Sequence, residues 1–374
     1  MKITIILGTM IHGGAHRVAC IQANELAARG YSVTLLLVVG SLQFPYEISP
    51  QVNVVKALPA ENLEFSNIKS KIKRKLLAPF YLIKKLKGLK PDLVISHIQG
   101  TNREAILSCK YLNIPIIACE HTTHLLPYGW RGKLAYIERR FVYKMADRIT
   151  LLTTSDKRDF YDRFLLNCDV MPNPCPFTSE LLVNQYARKR NILALGDLNR
   201  IHIKGWDNLI IIFSQLAKDF PEWTLEFAGN GDEGKNIIKE IAKDKGVLNQ
   251  VKFLGSVIDV KSKLQESSIF ILTSRNEGFS MALLEAMSQG CASIAYDCKS
   301  GPGDLIENNV DGFLIEDQNH QQMILKLKKL LENIETRNLF STRAVESSKQ
   351  FSKKIIFDKW EAVIKQVISD RELA

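Results

Sequence analysis

Ser274-Arg275-Asn276-Glu277-Gly278-Phe279-Ser280-Met281-Ala282-Leu283-Leu284-Glu285-Ala286-Met287 is the stretch on which the fold turns. The apolar run Ile269–Leu272 ends just before it at Thr273, a loop carrying Gly278 follows, and an apolar helix opens near Ser280. Strand, glycine-bearing loop and helix in that order make one unit of a doubly wound parallel sheet. Ligands of such sheets sit at the carboxyl ends of strands, facing helix N-termini. The unpaired N–H groups of a helix start suit a diphosphate. Glu277 in the loop and Glu285 on the helix can hydrogen-bond sugar hydroxyls at opposite ends of one ligand. They can equally be an ordinary turn acid and an exposed helix residue.

Outward from this stretch the same alternation recurs, which is the pattern of parallel α/β architecture. Before it, strands are expected at Asn191–Leu195, Thr224–Ala228 and Val251–Leu254, with helices over Asp207–Asp219 and Asn236–Lys245. After it come strands at Ala292–Tyr296 and Phe313–Ile315 and a terminal amphipathic helix, Ser352–Ile368. Toward the N-terminus, strands are expected at Lys2–Gly8, Tyr31–Val39, Asp92–Ser96, Ile114–Cys119 and Arg148–Leu152, the last closing a first sheet, with a helix over His16–Arg29. Met171-Pro172-Asn173-Pro174-Cys175-Pro176 holds three prolines in six residues and marks a linker. A chain of 374 residues exceeds the roughly 250–300 that one core supports. The expected domains are therefore 1–172 and 173–350, with 351–374 a C-terminal helix.

Seven cysteines with no Cys-x-x-Cys pair argue against both a zinc site and a disulfide framework, and for a reducing cytosol. The N-terminal apolar run is too short for a secretory signal, and the run at Tyr31–Val39 is far below the ~20 residues that span a bilayer. Net charge is +10, but nine Lys and Arg with no Asp or Glu lie between Lys69 and Lys90 and account for all but one unit of it. Such a local excess differs from the whole basic face of a nucleic-acid-binding domain. Within it Ile72, Leu76, Leu77, Phe80, Ile83 and Leu86 fall mostly three or four apart, a helical stripe flanked by Lys71, Lys73, Arg74, Lys75, Lys84 and Lys85, with Pro79 expected to kink or divide it. The stripe either packs on the first sheet or lies at an anionic membrane surface or an acceptor's diphosphate.

Gly13-Gly14-Ala15 sits between the first strand and first helix. It is either a plain tight turn or a place where backbone approaches an anion. It lacks the Gly-x-Gly-x-x-Gly pattern of a dinucleotide oxidoreductase.

Taken together these segments resemble a known family. Glu277 and Glu285 match the Glu-x7-Glu motif of retaining GT-B transferases, glycosyltransferase family 4. Gly13-Gly14-Ala15-His16-Arg17, Lys204-Gly205, Ala228-Gly229-Asn230-Gly231, Phe253-Leu254-Gly255 and Gly301-Pro302-Gly303-Asp304-Leu305-Ile306 agree in order and spacing. Tyr296-Asp297-Cys298 with Gly301-Pro302 looks like bacterial polysaccharide and lipid-linked-oligosaccharide transferases.

The resemblance implies an α/β GT-B fold: two Rossmann-like domains facing across a cleft, acceptor-binding then nucleotide-sugar-binding, with the C-terminal helix crossing back to the first. It implies transfer of a hexose or N-acetylhexosamine from a nucleotide sugar, UDP-linked, to a saccharide or polyprenyl-diphosphate-linked acceptor. The enzyme would sit at the inner face of the cell membrane. Glu277 would touch donor hydroxyls, Glu285 the ribose, and the amides of Phe279, Ser280 and Met281 the diphosphate that Lys204 neutralises. His121, in Glu120-His121-Thr122-Thr123, takes the place of the active-site histidine. Gly14, Arg275 and Gly278 complete the donor set.

The family's usual Arg after the strand near 190–196 is Asp197 here, and Arg200 stands in as a candidate. His97, His124 and His202 match no motif position and are left as structural. No Asp-x-Asp ends a strand, so neither metal nor cofactor is expected. A GT-B epimerase and a non-catalytic membrane- or nucleic-acid-binding protein are the competing readings. The last explains nothing beyond residue 190.

Overall fold

The computed structural model describes residues 1–10, 13–39, 45–58, 68–121, 130–166, 168–180 and 185–373, with the backbone alone for 68–76, 130–131 and 161. It divides into two compact units, Met1–Pro174 with Lys353–Ala374, and Cys175–Ser352.

The first unit holds a sheet of seven strands: β1 (Lys2–Leu7), β2 (Ser32–Leu37), β3 (Asn53–Lys56), β4 (Leu93–His97), β5 (Ile116–Cys119), β6 (Arg148–Leu151) and β7 (Asp169–Val170). All pairs are parallel and the order is β3-β2-β1-β4-β5-β6-β7. The sheet thus does not close at β6, as the sequence suggests. A two-residue edge strand follows, and another short one, β3, flanks the other side. Both are too brief and too polar to show a pattern.

Alternation along β1 explains why both faces are covered. Ile3, Ile5 and Leu7 join one core with the helix Gly14–Ala28, while Ile6 joins the opposite core with the helices Ile68–Leu89 and Gln99–Leu112.

The C-terminal helix, Lys353–Glu372, belongs to this unit. Its Ile356, Phe357, Trp360, Ile364 and Val367 are buried with Ile3 and Leu35. Arg29 pairs with Asp358 at 2.8 Å and Glu361 at 3.0 Å, and Arg371 pairs with Asp147 at 2.5 Å. These ion pairs are partly exposed and set register more than stability. The apolar face carries the stability, at about 1.5–3 kcal/mol for each large side chain buried.

The second unit repeats the design with six parallel strands: β8 (Lys189–Leu195), β9 (Thr224–Ala228), β10 (Val251–Gly255), β11 (Ser267–Leu272), β12 (Ala292–Asp297) and β13 (Gly312–Glu316). Their order is β10-β9-β8-β11-β12-β13. Trp206, Phe213, Trp223 and Phe227 fill its core. In each unit the strand order reverses once, between β1 and β4 and between β8 and β11. At such a reversal neighbouring loops part and open a crevice at the carboxyl ends. Every candidate site residue outside the basic segment lies in one of the two units near these ends.

Candidate functional site

In the second unit, Lys204-Gly205 is strapped onto the end of β11. Gly205 has φ +66°, and a Cβ there would lie 2.0 Å from the Thr273 carbonyl oxygen, so only glycine permits the approach. The Thr273 hydroxyl donates to the carbonyls of Lys204 (3.1 Å) and Gly205 (3.0 Å), and the Arg275 amide donates to Ile203 O at 2.9 Å. This strap brings Lys204 Nζ to 2.7 Å from Glu277 Oε1, which also accepts from Ser274 Oγ at 2.6 Å. The two charged side chains are 15% and 9% exposed, so the pair is shielded from solvent yet reachable.

Beyond Glu277, the chain turns through Ser280, a non-glycine residue at φ +61°, into the helix Met281–Ser288. Backbone strain of this kind concentrates at ligand sites. The Ser280 hydroxyl is buried and has no partner among the described residues. Phe279 is buried and packs edge-on against Phe351, and the Gly278 carbonyl accepts from Ser300 Oγ at 2.9 Å. Glu285 is 5% exposed, which removes the reading of it as an exposed helix residue.

Other candidates take different places. Arg275 grips Asp207 with both terminal nitrogens (2.8 and 2.9 Å) and the His202 carbonyl (2.8 Å), the geometry of a loop clip. Arg200 is exposed just before the short helix Ile201–Lys204, and Asp197 is exposed with its carboxylate accepting from the Asn199 amide. Ala228-Gly229-Asn230-Gly231 packs backbone on backbone. A Cβ on Gly229 would meet Gly196 O at 1.9 Å, and Leu198 N donates to Asn230 O at 2.7 Å. That motif needs no ligand to explain it. Burial pushes the Cys298 thiol up to about 12, with Glu277 adding to the effect, which keeps the neighbouring thiol neutral.

In the first unit, Gly14 is exposed at the start of its helix, while Gly13 exchanges hydrogen bonds with the Tyr46 hydroxyl. His121 follows the end of β5. Its Nε2 lies 2.6 Å from Nδ1 of His97, the last residue of β4, and the rings stack at 4.9 Å. His97 Nε2 in turn meets Gln22 Oε1 at 2.8 Å. His97, left as structural from the sequence, is buried and bonded to both His121 and Gln22. The signal available was a polar residue closing an apolar strand, Leu-Val-Ile-Ser-His, at the carboxyl end where ligands gather. His202 is exposed, and His124 lies outside the described residues, as do Thr122 and Thr123.

Burial holds the imidazoles neutral. It drives His121 down to about 4 with help from His16, and His97 well below its ordinary range with help from His121 and His16. It lowers His16 as well. Next to His121, the Glu120 carboxylate is buried against Arg139 Nη2 at 3.0 Å and the Tyr143 hydroxyl, and Asn102 Nδ2 donates to that same hydroxyl at 3.1 Å.

The basic segment forms one unbroken helix, Ile68–Leu89, which runs through Pro79 instead of dividing there. Its buried stripe is Ala78, Leu82 and Leu86, packed in the first unit's core, whereas Phe80 is 71% exposed. The expected stripe is therefore offset: Leu86 is shared and Phe80 faces solvent. Lys84 is exposed and Lys85 half-buried, and the side chains of Lys71, Lys73, Arg74 and Lys75 lie outside the described residues. Among the described residues no helix is long and apolar enough to cross a membrane, and no group of three His, Cys, Asp or Glu is placed to hold a metal ion.

Comparison with known proteins bears on the family and the fold. The Glycosyltransferase Family 4 model matches residues 12–176 and that of Glycosyl transferases group 1 matches residues 184–347. An uncharacterized glycosyltransferase of Haemophilus influenzae is 27% identical over 94% of this chain and 96% of its own. An α-1,4-N-acetyl-D-galactosaminyltransferase of Campylobacter jejuni, named for the acceptor GalNAc-α-(1→4)-GalNAc-α-(1→3)-diNAcBac-PP-undecaprenol, is 29% identical over 98% of this chain and 99% of its own. HepE of Anabaena, solved in complex with UDP, shares the fold with a TM-score of 0.76 at 16% identity, covering 98% of this chain and 100% of that one. The chain belongs to the GT-B-fold glycosyltransferases, a family 4 domain followed by a group 1 domain.

Proposed function

We propose that this glycosyltransferase moves a hexose or N-acetylhexosamine from a UDP-linked donor, with retention at the anomeric carbon, onto a saccharide or polyprenyl-diphosphate-linked saccharide in cell-surface polysaccharide assembly. The observation that carries the reading is the shielded Lys204–Glu277 pair beside the strained start of the helix Met281–Ser288. As the donor bond breaks, charge builds on the β-phosphate. The Lys204 ammonium keeps N–H bonds beyond the one given to Glu277, and the free amides of the helix start supply the rest. The hydrogen bonds from Lys204 and Ser274 both fall on Oε1 of Glu277, which leaves Oε2 to accept from a sugar hydroxyl. The buried Ser280 hydroxyl is a further donor for the diphosphate, Glu285 holds the ribose, and His121 accepts from the transferred sugar. Arg275, engaged with Asp207, shapes the loop instead of touching the donor.

The C. jejuni relative's undecaprenol-linked acceptor supports a lipid-linked acceptor for this chain too, and with it attachment to an anionic membrane through Ile68–Leu89. Each basic residue near such a surface contributes about 1 kcal/mol. Incubation with a panel of nucleotide sugars, with nucleoside diphosphate release as the readout, tests the donor assignment. Release from one UDP-sugar is expected. Release from none of the panel, with or without acceptor, would refute the reading.

A further inference from the structure

We propose that His97, held by Gln22, is a positioning residue that fixes the tautomer of His121, so that His121 Nδ1 meets a ligand hydroxyl as a hydrogen-bond acceptor. This rests on the role given to His121 above. Three side chains share a short row of protons. With the Gln22 amide oriented as it stands, its oxygen accepts at 2.8 Å from Nε2 of His97, which is then the donor. A neutral imidazole has one N–H, and His97 Nδ1 is therefore a bare acceptor. Across the 2.6 Å contact His121 Nε2 must then be the donor, and its only other nitrogen, Nδ1, is left with a lone pair. Among the described residues that buried atom has no partner, and the same holds for Nδ1 of His16 on the neighbouring helix. Such an acceptor has an energetic reason to recruit an O–H from a ligand.

The frame around the relay is rigid. Gln22 and His97 are 2% and 1% exposed. His97 is followed by Ile98 at φ +74°, a costly conformation for a β-branched residue, pinned by its amide to Cys119 O at 3.2 Å. On the other side Glu120 is anchored to Arg139 and Tyr143 and through its amide to Thr150 O. Both neighbours of the His97–His121 contact are thus fixed, which holds the two rings at their 2.6 Å contact.

The test is ring-nitrogen NMR on the full chain labelled with 15N-histidine, near pH 7, with His121 assigned by comparison with His121→Ala. The wild-type spectrum should show His121 as the Nε2–H tautomer with a bare Nδ1. His97→Leu should abolish that fixed pattern and lower turnover about ten-fold, the size of one lost hydrogen bond. His97→Asn, whose amide oxygen can replace Nδ1 as acceptor, should restore part of both. An Nδ1–H tautomer in the wild type, which needs no folded variant to observe, overturns the proposal, and so does an unchanged His121 pattern in His97→Leu. Normal turnover in His121→Ala would instead sink the role assigned to His121, leaving the tautomer result to be judged on its own spectrum.

Discussion

The two units share one order over six strands, to which the first adds β7, and place their candidate groups at the same topological point, yet the chemistry there differs in kind. At the β8/β11 reversal a lysine and a glutamate meet at 2.7 Å beside a helix N-terminus. At the β1/β4 reversal neutral imidazoles and an amide meet in a buried row. A charged, partly reachable pair suits a diphosphate, whose charge it shares. A neutral row suits hydroxyls, which are matched by lone pairs and would be mismatched by a buried imidazolium. On the proposed reading, the same fold offers an anion site and a hydroxyl site by changing only what the strand ends carry.

The comparison breaks most visibly through its supports. Arg139→Met would leave the Glu120 carboxylate buried without its cation, and breaking a buried pair costs about 3–5 kcal/mol. Urea unfolding should show that loss together with reduced transfer. A stability change under 1 kcal/mol would mean that Glu120 finds another partner.

In the second unit Glu277→Ala should cut transfer roughly 10- to 100-fold, the worth of a charged hydrogen bond to the sugar. Wild-type turnover would remove Glu277 from the site.

Acid should expose the difference between the units. His121 and His97 have folded pKa values below the unfolded 6.5, so the unfolded chain binds more protons than the folded one between about 4 and 6.5. The stability they confer is whole above pH 6.5 and is lost as pH falls toward 4. Melting temperature should decline over that window, and less so in His97→Asn. An identical decline in the two proteins would contradict burial of a neutral His97.

A smaller effect is expected from chelation. Transfer should persist in excess EDTA, because lysine and helix amides do the work of a cation. Loss of activity restored by magnesium or manganese would overturn this. Least of all should donor chemistry respond to Lys71, Lys73, Arg74, Lys75, Lys84 and Lys85→Gln, which should release the protein from anionic vesicles while leaving donor hydrolysis intact. Undiminished vesicle binding would clear the helix Ile68–Leu89 of that role.

Much of this was legible in the residues because parallel strands buried on both faces are continuous apolar runs, as at Ile3–Leu7 and Ile269–Leu272. The loop from Thr273 to the helix at Met281 could likewise be read from one glycine and the apolar turn of period behind it. What escaped was tertiary. β3 and β7 gain their identity only from a neighbour's edge. Phe80 fits a helical stripe as well as Ala78 does until the sheet beneath chooses the face. Arg275 meets Asp207 across 68 residues and His97 meets His121 across 24, contacts that no local spacing records.

In the proposed function the β8/β11 reversal binds the donor nucleotide. Calorimetric titration of the nucleoside diphosphate released from the preferred donor into the wild type and Glu285→Ala tests it most directly. An affinity about ten-fold weaker is expected in the variant, one hydrogen bond to the ribose lost. Superimposable isotherms from two equally stable proteins would contradict it.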